Sequence, residues 1–128
     1  TKGDQFKPEF VQINPNSKIP AITDPNGPGG QPISIMESGA ILMYLAQKSK
    51  KFWPTDERLQ SEVLQWLFFQ VAGVGPMFGQ FGHFFKYAGE KCTHPYPVER
   101  YATESKRILG VLEKRLENHT YLVGEQYT

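Results

Sequence analysis

The residues of this chain that could do more than pack fall in two short stretches, Ser17-Lys18-Ile19-Pro20-Ala21 and Met36-Glu37-Ser38-Gly39-Ala40-Ile41. A proline that must sit in a tight turn before a strand is a candidate cis peptide. That geometry turns the N–H and C=O of the preceding residue, Ile19, outward, where an extended peptide can pair with them. At Glu37-Ser38 a strand gives way to a helix, which leaves free backbone N–H groups and a hydroxyl where a carboxylate can dock. Glu37 can then hold an amine. A ligand with a backbone-pairing middle, an α-carboxylate and an α-amine is a small peptide with a free amino-acid head group. The same residues also read as a hairpin turn and an ordinary capped helix, and spacing alone does not separate the two readings.

Other motifs carry less. Gly73-Val74-Gly75-Pro76-Met77-Phe78-Gly79 is glycine-rich, but it follows a helical pattern, lacks dinucleotide spacing and contains a proline, so a phosphate cradle is not expected there. His83, His94 and His119 have no carboxylate or cysteine at metal-ligand spacing, and no metal is expected. Cys92 is the single cysteine and has no adjacent base, which favours an incidental thiol over a nucleophile.

The elements that must position the two stretches follow from periodicity and breakers. Pro8 to Ile13 reads as a short helix. The turn cluster Asn14-Pro15-Asn16-Ser17 leads into a short strand ending at Asp24, and Pro25 to Gln31 is a reverse turn. Ile33 and Ile35, alternating with Ser34, form the second strand of an antiparallel hairpin. A helix apolar nearly all round runs from Ser38 to about Lys48. Beyond Phe52-Trp53-Pro54 the β signal stops, so two domains are expected, 1–51 and 52–128. In the second, Leu59, Val63, Trp66, Leu67 and Val71 mark a long helix. Leu64, Phe68 and Phe69 widen its apolar surface beyond one core stripe. Gly73, Gly75 and Pro76 predict a bent or broken helix resuming through Met77, Phe78, Phe81, Phe84 and Phe85. A last helix from about Pro95 carries Tyr101, Ile108, Leu109, Leu112 and Leu116 on one stripe and is expected to pack as an antiparallel neighbour of the first.

Composition narrows the function class. Fourteen Lys and Arg against thirteen Asp and Glu leave a net charge of +1, too little for a polyphosphate partner, so no nucleic acid is expected. The longest apolar run, Ala40 to Ala46, cannot cross a bilayer, and no membrane role is expected. A lone cysteine fits a reducing, cytoplasmic setting. Thr1-Lys2-Gly3-Asp4 reads as a loop already under way, and Tyr127-Thr128 stands where a new helix could begin, so both ends are expected to be internal cuts.

The strings NPNSKIPAI, ESGAILMYLA, LQWLFFQVAGVGPMFGQ, VERY and VLEKRLENH, with KGDQFKPEF near the start, resemble the Nu-class glutathione transferases. That group includes bacterial disulfide-bond oxidoreductases and the related fungal nitrogen-regulatory prion protein. The resemblance runs through essentially the whole chain. It implies an α/β plus all-α fold: a partial thioredoxin-like N-terminal domain, lacking its first strand, first helix and second strand, followed by a partial all-helical C-terminal domain. By motif it implies that Gln5 and Lys18 approach the glycine end of glutathione and that Ile19 pairs with its cysteinyl backbone. Glu37 and Ser38 hold the γ-glutamyl head, and Arg100 of VERY is a further contact, although spacing also makes Arg100 an i, i+4 partner of Glu104. The family activates the glutathione sulfur with a Thr and an Asn on a loop upstream of this sequence, so no residue here is assigned to catalysis. The implied activity is glutathione-dependent disulfide reduction or thiol transfer by a homodimer, acting on glutathione and a small disulfide or electrophile. Alternatives are a non-enzymatic regulatory module with the same fold and a ligand-sequestering or peroxidase-active relative.

Overall fold

The computed structural model describes residues 2–128, which divide into two compact units, 2–51 and 52–128. In the first, a 3₁₀ turn at Asp4–Phe6 precedes helix α1 (Pro8–Ile13), which begins on Pro8, where a missing N–H costs no helical bond. Strands β1 (Ala21–Asp24) and β2 (Ile33–Met36) then form an antiparallel pair in the register Ala21 with Met36, Ile22 with Ile35, Thr23 with Ser34 and Asp24 with Ile33. Ile33 and Ile35 are half-buried while Ser34 and Met36 are exposed, the alternation of a sheet with one covered face. Helix α2 (Ser38–Ser49) follows at once and buries Gly39 and Ile41. The hairpin read from the sequence is therefore present, and so is the helix after it.

The turn of the hairpin depends on glycine at one position for space. A Cβ on Gly27 would sit 2.6 Å from the Gln31 carbonyl oxygen and 2.6 Å from Ile33 Cγ2, both inside van der Waals contact. The backbone can close there because the Gly27 N–H donates to that same Gln31 oxygen at 2.9 Å. At the base of the turn, Asp24 accepts from the Asn26 N–H at 2.9 Å and from the Tyr44 hydroxyl at 2.6 Å, and it pairs with Lys48. Lys48 also donates to the Asn26 carbonyl at 2.7 Å. Two residues one turn apart on α2 thus pin the hairpin turn.

The second unit is helical. Helix α3 (Glu57–Phe69) is capped by Asp56, whose side chain accepts from the Leu59 N–H at 2.9 Å. It continues through a wide π turn, Gln70–Val74, into α4 (Gly75–Gly82), and α4 into a second π turn, His83–Tyr87. Where a bent or broken helix was expected at Gly73, Gly75 and Pro76, the α-helical pattern is interrupted by the Gln70–Val74 π turn and then resumes, without a full break. Pro76 lacks the N–H for an ordinary helical bond, and its ring crowds the carbonyl four residues earlier. The wide turn just before it, closed by the Gly75 N–H on the Gln70 carbonyl, takes up that misfit without ending the helix.

Helix α5 (Tyr96–Leu116) supplies the core of this unit through Ile108, which is fully buried, and Ser105. The apolar stripe read from the sequence is corrected here, because Leu109 is 53% exposed and Leu116 is also exposed. The inward face runs instead through Tyr101, Ser105, Ile108, Leu112 and Arg115, at successive steps of four and three residues. Along its length α5 approaches α4 and the π turns most closely. It meets α3 through Arg115, which bonds Glu62 at 3.1 Å and lies over the Trp66 ring. Among the described residues, no helix is long and apolar enough to cross a membrane.

Candidate functional site

The register of the hairpin builds the site. Ala21 opposite Met36 is the last ladder pair, so the segments that leave it, Ile19-Pro20 on one strand and Glu37-Ser38 on the other, emerge at the same end of the hairpin. Two stretches far apart in sequence therefore meet at the open end of the hairpin. The ladder stops there for a local reason, since Pro20 has no N–H to contribute. The Ile19–Pro20 peptide bond is cis, as the sequence led us to expect. Ile19 itself is 78% exposed, and among the described residues it takes part in no backbone hydrogen bond.

Glu37 occupies a backbone conformation that side chains rarely adopt, φ 70° and ψ 120°. Such a conformation costs on the order of 1–3 kcal/mol and persists only where the surroundings over-determine it. Here it turns the chain from β2 into α2 in a single residue. The Glu37 side chain makes no capping bond to the helix, and the first intrahelical bond is Ile41 N–H to the Glu37 carbonyl at 2.9 Å. The N–H groups of Ser38, Gly39 and Ala40 thus lie before the helical ladder starts, on the positive end of the α2 dipole. An exposed carboxylate, a hydroxyl and free N–H donors stand together beside an unpaired backbone edge. That arrangement can bind a zwitterionic amino-acid group and continue as a strand along Ile19.

Of the remaining residues singled out from the sequence, Lys18 is exposed next to Ile19, and its carbonyl accepts from Asn14 Nδ2 at 2.7 Å. Gln5 is half-exposed in the 3₁₀ turn before α1. Arg100 is exposed on α5, in the other unit. Glu104 is bonded by Arg107, through two bonds of 2.9 and 2.7 Å, and Arg100 acts on it only through its charge. That pairing holds the Glu104 carboxyl below its ordinary range.

Asn14 escaped the sequence reading. It is 1% exposed and hydrogen-bonded through both ends of its amide, yet the turn cluster around it looked like loop punctuation. Glu37's backbone left no sequence signal at all. A concavity of about 380 Å³ lined by Asn26, Gly27, Pro28, Tyr44, Gln47 and Lys48 lies at the turn end of the hairpin, and the charges there satisfy one another. Among the described residues, no group of three or more His, Cys, Asp or Glu could hold a metal ion.

Residues 1–47 match the family described as Glutathione S-transferase, N-terminal domain. The chain is 52% identical over 128 residues to the Disulfide-bond oxidoreductase YfcG of Escherichia coli (strain K12), covering 99% of this chain and 59% of that protein. It is 45% identical to the Disulfide-bond oxidoreductase YghU of the same organism, covering 98% of this chain and 42% of that one. A glutathione transferase from Burkholderia graminis, solved with two glutathione molecules bound per subunit, superposes with a TM-score of 0.96. It is 53% identical over 98% of this chain and 52% of its own. A glutathione transferase from Pseudomonas putida, solved with one glutathione disulfide per subunit, gives a TM-score of 0.94 at 50% identity, over 98% of this chain and 54% of its own. The chain spans about half the length of the curated relatives it matches. Its fold is that of the corresponding part of these glutathione transferases.

Proposed function

We propose that this chain supplies the glutathione-binding half of a glutathione-dependent disulfide reductase of the disulfide-bond oxidoreductase type. Residues 1–51 form its partial thioredoxin-like domain and residues 52–128 part of its helical domain. The observation that carries the reading is the meeting of the Ile19 edge with the Glu37-Ser38 start of α2 at the open end of the hairpin. The Ile19 backbone pairs with the cysteinyl residue of glutathione. The Glu37 carboxylate holds the γ-glutamyl ammonium, and the Ser38 hydroxyl with the first N–H groups of α2 holds the head-group carboxylate. Gln5 and Lys18 approach the glycine carboxylate, and Arg100 is a further contact.

The chemistry is thiol–disulfide exchange. A glutathione thiolate attacks one sulfur of a small disulfide, forming a mixed disulfide and releasing the first thiolate, which takes up a proton. A second glutathione thiolate attacks the glutathione sulfur of the mixed disulfide, so two glutathiones are oxidised to their disulfide and the substrate is reduced to two thiols. No residue of this chain is assigned to sulfur activation. The relatives solved with two glutathiones or one glutathione disulfide per subunit support the two-glutathione stoichiometry. The reading further places the protein in the cytoplasm as a homodimer.

The test is glutathione-dependent reduction of a small disulfide by the full-length polypeptide, alongside calorimetric titration with glutathione. Binding together with turnover supports the reading. Binding without turnover would favour the regulatory module, and absence of binding would remove both.

A further inference from the structure

We infer that Asn14 is a positioning residue that aims the Ile19 N–H at the bound peptide, an inference that rests on the glutathione reading above. Asn14 is nearly fully buried, and each of its four hydrogen-bonding functions is engaged. Its backbone N–H donates to the Phe10 carbonyl at 2.8 Å, and its carbonyl accepts from the Ser17 N–H at 3.0 Å. In the side chain, Oδ1 accepts from the Asn16 N–H at 2.9 Å and Nδ2 donates to the Lys18 carbonyl at 2.7 Å. A backbone N–H can only donate and a carbonyl can only accept, so the partners fix which end of the amide faces which way.

The Oδ1 bond alone makes an ordinary turn, and Asp or Ser at this position would serve it equally well. The Nδ2 bond does something different, because it grips the Lys18–Ile19 peptide unit. That unit is planar and trans, so its C=O and N–H point in opposite directions. Holding the Lys18 oxygen against buried Asn14 therefore turns the Ile19 N–H away from Asn14, on a residue that is itself exposed. A side chain reached only through the turn thus sets the direction of the donor that pairs with the ligand's backbone.

Asn14→Asp separates the two roles. It keeps the size and the Oδ1 acceptor, but sets a carboxylate oxygen against the Lys18 carbonyl in place of the Nδ2 donor. In the full-length protein we expect the KM for glutathione to rise about tenfold or more, the scale of one lost directed hydrogen bond plus a repulsive contact. We expect kcat at saturating glutathione and the KM for the disulfide to stay within about twofold. If both KM values rise while kcat and the melting temperature fall with them, Asn14 is only a structural residue and the inference fails. Unchanged glutathione KM in a folded variant overturns it as well, while leaving the glutathione reading intact. A parent protein that binds no glutathione overturns both. Should the variant not fold, the unaltered protein decides: the Asn14 side-chain amide protons should shift on addition of glutathione, transmitted through the Lys18 carbonyl, and unmoved resonances overturn the inference.

Discussion

At the scale of the residue, the site rests on Glu37 more than on any other side chain. It turns the strand into the helix at a strained φ and carries a carboxylate that caps nothing of its own. In the full-length protein, Glu37→Ala should weaken glutathione binding by about 1.5–3 kcal/mol, roughly ten- to a hundredfold, since the ligand ammonium loses its charged partner. Calorimetric titration reads this directly, and a folded variant that binds as tightly as the parent would place the head group elsewhere. Ser38→Ala should cost less, because the N–H groups at the start of α2 remain. Glu37→Gly distinguishes strain from charge. Glycine, with no Cβ, adopts a positive φ at lower cost than any side-chain-bearing residue, so this variant should lose affinity like the alanine variant while retaining more stability, as thermal unfolding would show.

At the scale of the element, the hairpin and α2 form one mechanical piece, pinned at the turn end by Asp24, Tyr44 and Lys48 and carrying the proposed glutathione site at the other. The bond from Lys48, then those from Tyr44 and the Asn26 N–H, lowers the Asp24 pKa from 3.8 to about 2. A depressed folded pKa contributes stability that is complete above the unfolded value and is lost as pH falls through the folded one. The stability gap between the parent and Asp24→Asn should therefore be constant near neutrality, shrink between about pH 4 and pH 2, and vanish below that. The same partner raises Lys48 above 10.5, so its contribution is present throughout this range. A gap that persists undiminished at the lowest pH would show that Asp24 acts through something other than its charge. Gly27→Ala should open the turn by forcing Cβ against Gln31 and Ile33, with a loss of about 1–3 kcal/mol by chemical denaturation.

Much of this piece was legible in the sequence, because short strands, turn residues and the passage from strand to helix write themselves locally. The pin was not, since Asp24 and Lys48 lie 24 residues apart and only the folded hairpin brings them together. The helical unit was harder still. Leu109 fits an apolar stripe yet faces out, while Ser105 looks like surface and is buried, because the three to four residues of a helical turn leave two stripes that fit almost equally well. The π turn before Pro76 was illegible for another reason. A π turn has no composition of its own and arises where a helix absorbs a misfit that would otherwise break it.

At the scale of the whole molecule, the distribution of apolar surface bears on assembly. Phe68 is 61% exposed and Phe85 69% exposed, and the Phe85 ring stacks on that of Phe81 at 5.3 Å rather than turning into a core. Large aromatic side chains left on the surface at this density mark an interaction face more often than accident, since each costs about 1.5–3 kcal/mol relative to burial. The proposed homodimer is one structure that would cover them. Sedimentation of the full-length protein should then show a dimer at micromolar concentration. Placing a carboxylate at the centre of such a face would require its desolvation on association, so Phe68→Glu should raise the dimer dissociation constant about tenfold or more. Phe85→Glu tests the other exposed phenylalanine in the same way. If the parent sediments as a monomer, the argument from exposed aromatic surface fails. If the parent is a dimer and neither substitution weakens it, the dimer is real but is built on a different face, and these phenylalanines are covered by other parts of the polypeptide.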